Sequence, residues 1–181
     1  MSRRRESIVV RHPVNAELVP SGQPIELQPG TVGEITQALG SSFTLYVEGQ
    51  LVRIAGADAE AIGKEVPKAP ELPDDAGPEE LRALVWQTLK TCYDPEIPVD
   101  IVELGLIYVC DILPLDDDRY WVSIKMTLTA PGCGMGDTIA NEVRQKLEEL
   151  PRIDGVRVEM VFDPPWDRYR MSEAAQLALG L

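Results

Sequence analysis

Through the first third of the chain, apolar and polar residues switch in short bursts, too brief for helices and punctuated by turn formers. Ser7 to Val10, Ala16 to Val19, Ile25 to Leu27 and Val32 to Ile35 are runs of this kind, with Ser21-Gly22 and Pro29-Gly30 between them. Phe43 to Val47 and Leu51 to Ile54 flank Glu48-Gly49-Gln50, which predicts a hairpin with a three-residue loop. Residues 1–63 therefore read as a small all-β domain, an antiparallel barrel or sandwich. The pattern then stops. Residues 64–78, KEVPKAPELPDDAGP, carry too little apolar area to order themselves and read as a Pro- and acid-rich linker.

From residue 79 the period changes. Leu81, Leu84, Val85, Thr88, Leu89 and Cys92 recur at helical spacing behind Pro78, a suitable first helical residue, with Glu79 and Glu80 at the positive end. Asp94 to Pro98, DPEIP, forms a rigid turn; Leu106 to Ile112 reads as a strand and Pro114 to Arg119 as an acidic hairpin turn. Tyr120 to Leu128 alternates strictly, so one face of that strand is buried. After the loop PGCGMGD, Ile139, Val143, Leu147 and Leu150 mark a helix that Pro151 ends; Val156 to Phe162 alternates again. Strand, helix, strand is the grammar of a parallel crossover. Ser172 can cap a short last helix. The fold class expected is α+β: the β-rich domain, then an α/β domain over residues 79–181 with a mixed sheet of about three strands.

Composition narrows the function. With 181 residues and a formal charge of −13, the chain lacks the basic face that a nucleic-acid partner requires. No apolar run approaches membrane-spanning length, and MSRRRESIVV has no signal-peptide core, so no membrane partner and a cytoplasmic location are expected. Three cysteines, Cys92, Cys110 and Cys133, do not make a disulfide framework, and no CxxC pair supplies a zinc site. His12, the single histidine, precedes Pro13 in a turn.

Cys133 stands apart from the other two thiols. Gly132, Gly134 and Gly136 leave it uncrowded, and the crossover puts it at the carboxyl end of a strand and the amino end of a helix, where the helix dipole favours thiolate. The same topology brings Asp163 to that end of the sheet. Three classes fit one thiol among acids: a Cys-dependent enzyme, which lacks a nearby His base; a carrier of iron or an iron-sulfur cluster, completed by ligands from outside since a cluster takes about four thiolates; or an interaction module whose loop is only structural.

DPEIPVDIVELGLIY, VSIKMTLTAPGCGMGD and FDPPW with the later MSEAA resemble the iron-sulfur cluster assembly domain related to the carboxyl-terminal domain of NifU, most closely its SufT branch. GTVGEITQALGSSFTLYVEGQLVRIAGADAEAIG is similar to the extra amino-terminal domain of SufT-type proteins. The resemblance implies a non-enzymatic accessory factor in iron-sulfur protein maturation, with Cys133 as a transient ligand for iron or a cluster. It implies Asp94, Glu96 and Asp163 as supporting acids and Thr127 and Thr129 as pocket residues. Client apoproteins and an assembly scaffold are the partners implied, and a homodimer is expected because pairing subunits gathers thiolates. The alternative is a metal-free adaptor docking clients to the machinery. DRYR, Asp167 to Arg170, and Ser41-Ser42 depart from the family pattern.

Overall fold

Each short run of the first third has one apolar face to bury, and pairing them in a single sheet buries all of those faces together. The structure is a computed structural model describing residues 6–19, 21–39, 42–68, 71–94, 97–131, 134 and 136–181. The chain divides into two units, Met1–Ala69 and Pro70–Leu181. In the first, β1 (Glu6–Val9), β2 (Val14–Val19), β3 (Pro24–Leu27), β4 (Val32–Leu39), β5 (Ser42–Val47) and β6 (Gln50–Ala55) form one antiparallel sheet in the order β1-β4-β5-β6-β2-β3. Ile8, Val10, Val14, Leu45, Val52 and Ile54 share one core with Ala61 and Ile62 of a 3-10 turn, Gly56–Ile62. Among the described residues these strands form one continuous sheet, with β1 and β3 at its ends not paired to each other, so neither a second sheet nor a closed hydrogen-bonded barrel is seen there.

The hairpin differs from its expected form. Val47 pairs with Gln50, so only Glu48 and Gly49 form the loop, both left-handed at φ 49° and 87°. Two consecutive positive-φ residues make the turn whose twist matches the flanking strands, and this draws Gln50 into β6. β4 also runs on to Leu39, past an irregularity between Ile35 and Gln37, because pairing with β5 overrides the polar stretch after Ile35.

In the second unit, α1 (Pro78–Leu89) starts with the Glu80 carboxylate accepting the Gly77 amide at 2.9 Å. β7 (Ile107–Pro114), β8 (Tyr120–Met126) and β9 (Ile153–Met160) form a sheet in that order, β7 antiparallel and β9 parallel to β8. α2 (Gly136–Glu148) is the crossover, and α3 (Glu173–Ala178) follows with the Ser172 hydroxyl accepting the Ala175 amide. Val122, Ile124 and Met126 bury against Leu81, Leu89, Ile139, Val143 and Leu147. Burial of such side chains is the main stabilising term here.

Residues 71–77 hold to this unit through a partner outside their own composition. Leu72 packs on the core, and the Arg152 guanidinium donates to the carbonyls of Asp74 and Ala76 at 2.8 and 2.7 Å. Among the described residues, no helix is long and apolar enough to cross a membrane.

Candidate functional site

The central strand β8 ends between the first residue of β7 and the last of β9, and the backbone ladder continues one step further on each side. Thr127 donates its amide to Leu106 at 2.9 Å, and Val161 donates to the carbonyl of Met126 at 2.8 Å. Thr127 is thereby fixed at the carboxyl end of β8, 1 % exposed, and its hydroxyl has no hydrogen-bond partner among the described residues. A buried hydroxyl left unpaired costs about 1–3 kcal/mol. Thr129, two residues on, is half-buried.

Beyond it the chain enters the glycine loop. Gly134 is exposed in a turn, and Gly136 is the buried first residue of α2. A Cβ on Gly136 would stand 2.9 Å from Leu128 Cδ1, so any side chain there would have to displace the tip of buried Leu128 where the helix meets the strand end. Gly132, Cys133 and Glu96 lie outside the described residues.

The loop carrying Asp94 is tied to the same strand end by a relay of backbone bonds. Ile101 donates to Cys92 at 2.9 Å, Leu106 donates to Ile101 at 3.0 Å, and Leu106 in turn accepts from Thr127. Asp94 is buried, with its carboxylate accepting the Ile97 amide at 3.1 Å. Asp100, in the same loop, accepts the amides of Val102 and Glu103 at 3.0 and 2.9 Å. Burial raises its pKa against the pull of those two N-H groups.

Asp163 follows β9 by three residues and is exposed, next to a cis bond to Pro164. Its segment is stapled across residues 104–108: the Tyr108 hydroxyl donates to the Pro164 carbonyl at 2.8 Å and the Trp166 indole N-H to Leu104 at 2.7 Å. Arg170 stacks over the Tyr108 ring at 4.5 Å, and Ser172 donates its amide to Glu103 at 2.8 Å. Tyr108, Trp166 and Glu103 thus hold the segment after β9 against residues 103–108, contacts that sequence periodicity did not single out, while Ser172, read from the sequence as a helix cap, adds its amide to Glu103. Glu103, Tyr108 and Trp166 stand inside the family-like motifs, which is the signal that could have found them.

The other two thiols are withdrawn from solvent, wholly for Cys92 and in part for Cys110. Cys92 is fully buried with its Sγ 3.9 Å from the Thr88 carbonyl, and burial pushes Cys110 up to about 11. Among the described residues, no group of three or more His, Cys, Asp or Glu side chains could hold a metal ion.

A family model described as "Iron-sulfur cluster assembly protein" matches residues 82–160. A "Fe-S protein maturation auxiliary factor" of Porphyromonas gingivalis is 46% identical over 96 residues, which are 53% of this chain and 88% of that protein. The chain belongs to the iron-sulfur cluster assembly protein family. Similar relatives are the "Fe-S protein maturation auxiliary factor YitW" of Bacillus subtilis, 41% identical over 103 residues (57% of this chain, 97% of that protein), and the "Fe-S protein maturation auxiliary factor SufT" of Staphylococcus aureus, 42% over 88 residues (49% and 96%). The iron-sulfur cluster assembly match runs from inside α1 to the last residue of β9, so it includes the Asp94 loop, Thr127, Thr129 and the glycine loop. It stops before Asp163 and Trp166, and the first unit lies outside it.

Proposed function

We propose that this protein is an accessory factor in the maturation of iron-sulfur proteins and that Cys133 binds iron or a cluster transiently on its way to client apoproteins. The relatives named as maturation auxiliary factors support the process. One observation of the structure carries the site: the buried Thr127 hydroxyl with no partner among the described residues, at the strand end from which the loop of Cys133 departs. An unpaired buried donor is a standing cost, and a group arriving in passage that accepts its hydrogen bond offsets it.

Cys133 supplies thiolate, favoured by the amino end of α2; Asp94, Glu96 and Asp163 act against that through like charge or supply hard oxygen donors to iron. A single thiolate cannot complete a cluster's shell, so client, scaffold or a second subunit contributes the rest and the cargo stays exchangeable. This suits an accessory factor of the cytoplasm, where thiols stay reduced, and not an enzyme with its own turnover.

Anaerobic reconstitution with iron and sulfide, followed by absorption spectra of the native protein and Cys133→Ser, tests the reading. The native protein is expected to show sulfide-to-iron charge transfer that the variant lacks. Identical spectra overturn the ligand role. A second reading, a metal-free adaptor that docks clients to the machinery, predicts that Cys133→Ser still supports maturation of an apoprotein in vitro.

A further inference from the structure

β9 is an edge strand: β8 pairs with one side of it, and among the described residues no strand pairs with the other. Along that free edge runs a groove of about 580 Å³ between β9 and α2. Asp137, Ala140, Asn141 and Arg144 line it from the helix, spaced i, i+3, i+4, i+7 on a stripe separate from the buried one of Ile139, Val143 and Leu147. From the sheet come the half-buried Val158 and Met160, with Arg157 on the opposite face of the strand. An unpaired edge flanked by half-buried apolar side chains invites another strand, and exposed edges of this kind are usually blunted or covered.

We infer that the occupant is a second copy of this chain, joined β9 to β9 in antiparallel fashion about a two-fold axis through Val158, so that two three-stranded sheets become one of six strands. The charge pattern selects this partner and this register. With Val158 opposite Val158 of the second copy, Arg157 lies opposite Glu159 and Glu159 opposite Arg157, two reciprocal pairs of unlike charge. Opposed residues of an antiparallel pair share a face, so the register moves only in steps that keep that match. The neighbouring two-fold registers put Arg157 opposite Arg157 or Glu159 opposite Glu159. Within one chain Arg157 and Glu159 are only loosely joined, 3.9 Å apart and exposed, so both are available for the exchange.

The helices obey the same symmetry. α2 and its copy would run antiparallel on one face, with Ala140 and Asn141 at the axis and Asp137 beside Arg144 of the second copy, twice. A small residue at the crossing allows close approach. Strand and helix layers are thus each self-complementary about axes that the shared groove places together, which is the requirement for an isologous interface. This inference stands on charge and topology and does not rest on the metal reading of Cys133.

Sedimentation equilibrium of the full chain over a range of concentrations tests it, alongside Arg157→Glu and Glu159→Arg. The native chain is expected to dimerise, and each reversal alone is expected to weaken the dimer roughly tenfold or more, since it turns two attractive cross-strand pairs into two repulsive ones. Mixing the two variants is expected to restore a heterodimer, because the two carboxylates that one variant carries at positions 157 and 159 then face the two guanidinium groups of the other. An effect within one chain cannot be rescued by mixing. Asp137→Arg with Arg144→Asp, mixed in the same way, tests the helix layer independently should Glu159→Arg disturb its neighbour Lys125. A native chain that stays monomeric throughout, reversals that leave the dimer intact, or a mixture that fails to reassociate overturns the inference. So does an extended peptide that binds the monomer along β9 by amide chemical shifts.

Discussion

At the scale of single residues, Thr127 is where stability and function part company. Its hydroxyl is buried and unpaired among the described residues, so Thr127→Val, which keeps the shape and removes the polar atom, is expected to raise unfolding free energy by about 1 kcal/mol. The same change is expected to lower iron or cluster retention in the reconstitution assay. Denaturant midpoints and absorption spectra of one sample measure both. Thiol chemistry gives a second expectation: at pH 8 a thiol near 11 is only about 0.1 % thiolate, so Cys110 alkylates slowly and buried Cys92 not at all in the native state. Mass mapping after brief iodoacetamide treatment is expected to find the label on Cys133; label on Cys110 first would contradict the reading. Glu103 adds a pH signature. Hydrogen bonding from Ser172, then from Lys90, lowers its pKa below 4.5, so its contribution is present above 4.5 and lost as pH falls through the lowered value. Glu103→Gln is therefore expected to be less stable than native at pH 7, by under about 1 kcal/mol for so exposed a group, with the gap closing in acid. Asp100 titrates in the opposite sense, since burial raises its pKa and its ionisation weakens the fold as pH climbs. Thr127 and Thr129 entered the sequence reading through family resemblance alone, because nothing in local pattern distinguishes a threonine with an unpaired hydroxyl from one paired in a ladder.

At the scale of elements, the strands and helices were legible because each buries one face only. Tyr120–Met126 alternates buried and exposed almost without fault, and the 139, 143, 147 stripe of α2 is as regular. What escaped was set by long-range partners. The 3-10 turn Gly56–Ile62 carries no period of its own, and Arg152, at φ 65°, reaches back to residues 74 and 76 with nothing nearby in sequence to announce it. Close approaches are equally silent. A Cβ on Gly136 would meet Leu128 at 2.9 Å, and Gly105 at φ 71° lies under the Arg170 carbonyl. Gly136→Ala is expected to destabilise by about 1–3 kcal/mol through overpacking where the helix meets the strand end. If thermal denaturation shows no loss, that contact is softer than the geometry requires.

At the scale of the whole molecule, the chain joins two units with separate cores, and the family match falls wholly within the second. Charge and composition gave no sign of which unit carries the family match; the motifs between Asp94 and Trp166 did that. A fragment spanning residues 70–181 is expected to fold alone, since α1, the mixed sheet, α2 and the Trp166 staple all close within it. A cooperative thermal transition in the isolated fragment checks this, and a broad, non-cooperative melt would mean that the first unit is needed for folding.

Trp121 lies across Gly155 with its ring where a Cβ would otherwise be, 39% exposed and bordering the groove beside β9. An indole so placed is an intrinsic optical gauge. Anything that settles along that strand shields it from water and moves its emission to the blue, so dilution should redden the fluorescence over the concentrations at which the copies separate, with no label attached.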